Sequence, residues 1–176
     1  MQYKRIMIFG SPGSGKSTLG LRLSKKLGLP LYHNDKYFYT HNWIERDIQE
    51  FFDISCALTK QDAYIMDGNC MRMMLERNVP DVDMMIYLDV PRLKCLYRVL
   101  KRYVFNMIFG KNKELQDRAP GCDEQLSWHF LSHNLWTYKK RQEPRIELVR
   151  AKYPHIIFMH IDTVEKLQKL ENMLVS

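Results

Sequence analysis

The chain has 176 residues, with 27 Lys and Arg against 20 Asp and Glu, a formal net charge of +7 and 45% hydrophobic content. A chain of this length is expected to form one domain, burying about 70% of its unfolded surface, so a sizeable core needs no disulfide or metal staple. The composition excludes disordered, collagenous and coiled-coil classes, and no apolar run approaches the roughly 20 residues of a membrane span. The apolar stretch near the N-terminus ends at Gly10, too short for a signal segment. Cys56, Cys70, Cys95 and Cys122 form no Cys-x-x-Cys pair. Free thiols acting as small hydrophobes in a cytoplasmic protein are therefore expected.

Strand and helix signals alternate. Lys4 to Phe9 predicts a short buried strand ending in a Gly-rich turn. Ser17 to Leu27 predicts a helix, with Leu19, Leu23 and Leu27 on one face and Gly28 just past its end. Leu31 to His33 predicts a second strand, and Trp43 to Leu58 a helix through Ile44, Ile48, Phe51 and Phe52. Tyr64 to Met66 and Met84 to Val90 predict two more strands, and Pro91 opens a helix to Val104. Asn106 to Gly121 breaks the periodicity and predicts a lid. His155 to Ile161 predicts a fifth strand, with a terminal helix through Val164, Leu167, Leu170 and Leu174. Continuously apolar strands separated by helices indicate a parallel sheet covered on both faces.

The first turn carries the strongest chemical signal. Gly10, Ser11, Pro12, Gly13, Ser14, Gly15, Lys16 and Ser17 match G-x-x-x-x-G-K-[ST], with a strand before and a helix after, and Thr18 next in the helix. The glycines let backbone N–H groups turn inward around phosphate oxygens, and the helix N-terminus adds positive potential. Lys16 reaches the terminal phosphates and the Ser17 hydroxyl ligates Mg²⁺ in such loops. The only Asn-Lys pair, Asn112-Lys113, is followed by Glu114 and Leu115 rather than x-Asp, which speaks against a GTPase. The length fits a small kinase.

Asp67 ends the third predicted strand, where a carboxylate can hold Mg²⁺, and Gly68 beside it allows close approach of a substrate; Asp-Gly is also an ordinary turn pair. Asp35 follows the second strand, where a carboxylate can orient or deprotonate an acceptor hydroxyl. His33 reads as a hydrogen-bonded core residue. Tyr37, Phe38, Tyr39 and Trp43 either stack on a planar acceptor or pack under a helical subdomain.

The charge excess is local: residues 92–152 hold 14 Lys and Arg against 6 Asp and Glu, a net of +8. Such a region implies an anionic partner. On the helix after Pro91, Lys94, Arg98, Lys101 and Arg102 lie opposite Leu93, Leu96, Leu100 and Val104. Arg98 and Arg102 lie one turn apart and can fork onto transferring phosphate. Arg118 and Arg141 are further lid arginines, whereas Lys111, Lys113, Lys139 and Lys140 read as solvated.

The phosphate loop, Asp67-Gly68, and Leu88-Asp89-Val90-Pro91 followed by Arg98 and Arg102 resemble adenylate kinase and its relatives. More closely, the chain resembles the FlaR-like topology modulation proteins, an adenylate kinase-related P-loop kinase group, over residues 4 to 165. The segments that carry this resemblance are Tyr32 to Asp35, Met66 to Asn69, Tyr87 to Arg92, Cys95 to Val99, Gly121-Cys122, Trp136 and Lys139 to Arg141. The resemblance implies a P-loop nucleoside monophosphate kinase-like fold: a five-stranded parallel sheet flanked by helices, with an acceptor-binding segment at 35–60 and a lid at 106–121 within one domain, 1–176. The adenylate kinase acceptor motif D-G-F-P-R departs here to Asp67-Gly68-Asn69-Cys70-Met71, with Arg72 one place late. Arg46 is the only arginine of the acceptor segment before Arg72. Asp35 would repel an acceptor phosphate, so a hydroxyl acceptor fits better.

The expected function is an ATP- and Mg²⁺-dependent phosphotransferase acting on a small-molecule acceptor, as a monomer or homodimer. Lys16, Asp35, Arg98 and Arg102 are its catalytic residues, Ser17 and Asp67 its metal ligands, and Asp35, Gly68 and Arg72 its acceptor contacts. The alternatives are a nucleoside monophosphate kinase and an ATP-switched regulator that places the basic region on nucleic acid.

Overall fold

The computed structural model describes residues 3–69, 71–77, 82–109, 119, 121–122 and 136–175. Five strands, β1 (Arg5–Gly10), β2 (Leu31–His33), β3 (Tyr64–Asp67), β4 (Met84–Leu88) and β5 (Ile157–Ile161), form one parallel sheet in the order β2-β3-β1-β4-β5. The helices are α1 (Lys16–Leu27), α2 (Asn34–Phe38), α3 (Ile48–Thr59), α4 (Met71–Glu76), α5 (Arg92–Phe109), α6 (Tyr138–Lys152) and α7 (Val164–Val175). No helix among the described residues is long and apolar enough to cross a membrane.

The central strands β1, β3 and β4 are largely apolar because both faces are covered, and alternation sorts their side chains between two cores. Ile6, Ile8, Ile65, Met84, Ile86 and Leu88 face Leu19, Leu23 and Leu27 of α1 and Leu170 and Leu174 of α7. Met7, Phe9, Tyr64, Met66, Met85 and Tyr87 face the other way, onto Phe51 and Phe52 of α3, Met71, Met73 and Met74 of α4, and Ile146 and Val149 of α6. Phe9 and Tyr87 stack at 5.0 Å across adjacent strands. All strands run in one direction, so the loops that leave their C-terminal ends converge on one edge.

Several boundaries differ from the sequence reading. The helix expected from Trp43 begins only at Ile48, where the Asp47 carboxylate caps it by accepting from the Gln49 and Glu50 amides. Residues 39–45 instead form a hairpin closed by an antiparallel bridge between Tyr39 and Glu45. The short helices α2 and α4 fill stretches without a clear period. The helix expected to stop at Val104 continues to Phe109, so the first four residues of the expected lid are helical. Most of the remaining lid stretch lies outside the described residues. β5 starts at Ile157 rather than His155.

Asp83 ties the start of β1 to the approach to β4. Its Oδ2 accepts from the Lys4 and Arg5 amides at 2.8 and 2.9 Å, and its Oδ1 from Arg5 Nη2 at 2.8 Å. Burial pushes the Asp83 carboxyl up, but the Arg5 guanidinium and the two amides outweigh burial and hold it below its ordinary value of 3.8. A depressed native pKa stabilises the fold above the ordinary carboxylate range, and that contribution is lost as pH falls through the native value. Asp83→Asn should lower the thermal midpoint at pH 7 by about 2–8 °C, the shift that about 1–2 kcal/mol gives in a domain of this size. The gap between the two proteins should close in acid, and parallel pH profiles would show that the charge contributes nothing.

Candidate active site

The turn after β1 is built to hold an anion. Gly15 stands at the N-terminus of α1, and Leu19 N–H donates to the Gly15 carbonyl at 2.9 Å as the first helical bond. The N–H groups of Lys16, Ser17 and Thr18 therefore point out of the helix without intrahelical acceptors. No acidic residue occupies the first turn of α1 to offset its positive end. Before it, Ser14 N–H closes a turn on the Ser11 carbonyl at 3.0 Å, with Pro12 and Gly13 between them. Gly13 adopts φ +76°, and a Cβ there would lie 2.5 Å from the Cys95 carbonyl of α5. Only a residue without a side chain fits between the loop and that helix.

α5 braces the loop from the other side. Arg98 Nη1 donates to the Ser14 carbonyl at 3.1 Å and to that of Gly13 at 3.4 Å. This places the Arg98 guanidinium on the loop, while Arg102 follows one turn further along α5. Lys16 Nζ lies across the loop and donates to the Ser11 carbonyl at 3.3 Å. Ser14 is buried, and its hydroxyl has no hydrogen-bond partner.

Asp67 ends β3, in register with Ile8 of β1 on one side and His33 of β2 on the other. Its side chain is 4% exposed. Oδ2 lies 2.9 Å from His33 Nδ1, while Oδ1 is buried with no hydrogen-bond partner. A buried carboxylate oxygen without a partner carries a large desolvation cost, which a bound cation would offset. A hard cation such as Mg²⁺ takes only one or two protein carboxylates and fills its remaining positions with phosphate and water. The Ser17 hydroxyl and the unpartnered Asp67 oxygen suit that donor set. Among the described residues no cluster of three or more His, Cys, Asp or Glu competes as a metal site.

Gly68 follows directly, its N–H donating to the Ile8 carbonyl at 3.0 Å and its backbone lying against Asn34. Asn34 opens α2 and is 2% exposed, with both amide atoms lacking partners. Asp35, next in the same turn, is exposed at this edge. The β2 to α2 junction thus brings Asp35 to the strand ends that also carry the phosphate loop and Asp67. The aromatic residues after it pack on one another: Phe38 edge-on to Phe51 at 5.2 Å and Tyr39 edge-on to Trp43 at 4.9 Å.

The arginines that could receive an acceptor phosphate are already paired. Arg46 bonds Glu50 and the Tyr37 carbonyl, Arg72 bonds Glu76 and lies over the Phe52 ring, and Arg77 bonds Asp53 and Gln49. Two of these are i,i+4 Arg–Glu pairs, a spacing visible in the sequence. Arg141 lies in the first turn of α6, and Arg118 lies outside the described residues.

Sequence reasoning missed two contacts between distant residues. One is the His33 bond to Asp67. The other is Asp89, which accepts from Lys139 at 2.8 Å and lies 2.9 Å from His160 Nε2, so Lys139 joins α6 to the ends of β4 and β5 rather than only facing solvent. Burial pushes the Asp89 carboxyl up, and these two partners overcome it to hold the carboxyl below 3.8.

The chain matches no protein-family model and no curated protein sequence. Among solved structures it is similar to shikimate kinase from Acinetobacter baumannii in complex with shikimate, at a TM-score of 0.57 and 17% identity over 98% of this chain and 93% of that one. It is similar to a candidate kinase from Chloroflexus aurantiacus at a TM-score of 0.52 and 15% identity, over 98% of this chain and 96% of that one. Deoxyadenosine kinase from M. mycoides is more distant, at a TM-score of 0.48 and 17% identity over 97% of each chain. The sheet and its flanking helices are those of the P-loop nucleoside monophosphate kinase-like fold.

The packing of Gly13 on Cys95 makes a direct prediction. Gly13→Ala places a methyl group against a backbone carbonyl at positive φ, a strain of about 1–3 kcal/mol. The thermal midpoint should drop by about 2–12 °C. An unchanged midpoint would show that the loop is not held against α5.

Proposed function

We propose that the protein is an ATP- and Mg²⁺-dependent phosphotransferase whose acceptor is a hydroxyl group of a small molecule. The observation that carries this reading is the meeting of three groups at one sheet edge. They are a complete phosphate loop, a buried carboxylate with an unpartnered oxygen, and an exposed carboxylate at the start of α2.

In this reading the loop amides and Lys16 hold the β- and γ-phosphates, and Arg98 and Arg102 offset charge on the transferring group. Ser17 and Asp67 would hold Mg²⁺, which would offset the negative charge of the phosphates. His33 fixes the orientation of Asp67 through Oδ2. Asp35 accepts the hydrogen bond of the acceptor hydroxyl and takes its proton. The acceptor oxygen bonds to the γ-phosphorus as the bond from that phosphorus to the β–γ bridging oxygen breaks. Gly68 meets the acceptor through its backbone alone, since Asn34 fills the side a Cβ would take, and Arg118 and Arg141 are further arginines assigned to phosphate. A hydroxyl acceptor is favoured over a phosphate because Arg46, Arg72 and Arg77 already have carboxylate partners while Asp35 would repel a phosphate. Membership of the FlaR-like group is part of the proposal and rests on the sequence segments, and a place in the cytoplasm is part of it and rests on the cysteine pattern.

Three experiments test it. Lys16→Ala should abolish ATP binding, and unchanged affinity would end the phosphate-loop assignment. Turnover with a panel of sugars, shikimate, nucleosides and nucleoside monophosphates should drop about 10²- to 10⁴-fold in Asp35→Asn, with ATP affinity kept. Arg72→Ala should change it little. Nucleoside monophosphates as best acceptors, with only Arg72→Ala damaging, would make the protein a nucleotide kinase. Salt-dependent retardation of DNA without acceptor turnover would favour the regulator instead.

A further inference from the structure

The hairpin between α2 and α3 is tight and strained. Thr40 N–H donates to the Ile44 carbonyl and Ile44 N–H to that of His41, both at 2.9 Å, and Arg46 N–H returns to the Phe38 carbonyl at 2.8 Å. At its tip, Asn42 and Trp43 both adopt left-handed backbone, with φ of 47° and 62°. Asparagine tolerates that region, but a bulky aromatic does so only where its surroundings hold it.

What holds it comes from a distant part of the chain. Trp43 N–H donates to Cys122 Sγ at 3.2 Å. Cys122 N–H closes a turn on the Ala119 carbonyl at 3.2 Å, and both residues are buried. Gly121 lies directly on Asn42: at its φ of +72°, a Cβ would fall 2.0 Å from Asn42 Oδ1 and 3.4 Å from the Asn42 nitrogen. Residues 119, 121 and 122 thus form a clasp over the hairpin tip. The clasp continues inward through the edge-on contact of Trp43 with Tyr39 at 4.9 Å. Burial pushes the Tyr39 phenol up to about 12, and the Asp35 and Glu45 carboxylates act in the same direction. Tyr39 N–H also donates to the Asp35 carbonyl at 3.3 Å, so Tyr39 joins the clasp to the residue assigned to the acceptor.

We propose that Cys122 is a positioning residue for the acceptor, its sulfur fixing the Trp43 backbone and, through Trp43 and Tyr39, the wall of the acceptor pocket beside Asp35. The proposal rests on the acceptor role of Asp35. It assigns the thiol neither nucleophilic nor redox chemistry: the sulfur is a hydrogen-bond acceptor that chain geometry has placed under a strained amide. Because the clasp touches the acceptor segment and not the phosphate loop, it should govern the acceptor and leave ATP alone.

The test uses Cys122→Ala and Cys122→Ser in the full chain, with hydrogen exchange at the Trp43 amide and KM for ATP and for the best acceptor of a panel of sugars, shikimate, nucleosides and nucleoside monophosphates. Cys122→Ala should speed Trp43 amide exchange and raise acceptor KM about three- to tenfold, the size that one modest hydrogen bond carries. KM for ATP should stay within twofold. Cys122→Ser, whose oxygen accepts the same N–H, should recover most of both losses. Unchanged Trp43 exchange in Cys122→Ala overturns the clasp. Faster exchange with unchanged acceptor KM overturns its role toward the acceptor, and a matching rise in both KM values with a lowered thermal midpoint reduces Cys122 to a structural residue. If the unaltered protein phosphorylates nothing in the panel, the phosphotransferase reading fails, and the acceptor role of Cys122 fails with it, whatever the exchange result.

Discussion

The site depends on one buried carboxylate. Asp67 stands at the end of β3 with its neighbours in register on both sides, one oxygen against His33 and the other without a hydrogen-bond partner. A carboxylate in that position costs the fold stability unless positive charge faces it. Its location fixes where that charge must come from, namely the crevice at the strand ends, where the phosphate loop leaves β1 and α2 leaves β2. Moving Asp67 by one residue along β3 would turn it onto the opposite face of the sheet.

The loop is held as firmly as the carboxylate. Gly13 sits against the Cys95 carbonyl, and Arg98 reaches the Gly13 and Ser14 carbonyls from the same helix. α5 is thereby both the rear wall of the loop and the source of the arginines assigned to transferring phosphate. Its first turn is in turn anchored next to Asp89, which Lys139 and His160 engage from α6 and β5. Two basic residues of the 92–152 region thus serve the fold directly, Arg98 bracing the loop and Lys139 joining α6 to the sheet.

Much of this was legible in the sequence because its causes are local. The strands announced themselves as uninterrupted apolar runs such as Ile6 to Phe9 and Met84 to Leu88, as burial on both faces requires. The phosphate loop was readable because every backbone constraint it imposes falls within eight residues. The late start of α3 was not, because the apolar spacing through Ile44 mimics a helix, whereas the chain spends Tyr39 to Glu45 in a hairpin whose strained tip is held from residue 122. The helices α2 and α4 are too short to show a period. The His33–Asp67, Lys139–Asp89 and Trp43–Cys122 bonds join residues 34, 50 and 79 positions apart, and no single-chain pattern encodes such pairs. The Arg46–Glu50 and Arg72–Glu76 pairs were encoded at helical spacing and so were legible in the sequence.

The central claim is that phosphate held by this loop is passed to a hydroxyl. The most direct measurement is ³¹P nuclear magnetic resonance of the protein with ATP, Mg²⁺ and pooled hydroxyl-bearing metabolites. If phosphate passes from the loop to a hydroxyl, a new phosphate monoester signal grows in step with ADP, and no such signal appears in the absence of the pool. ADP growing in step with inorganic phosphate alone, at a rate the pool does not change, would contradict it.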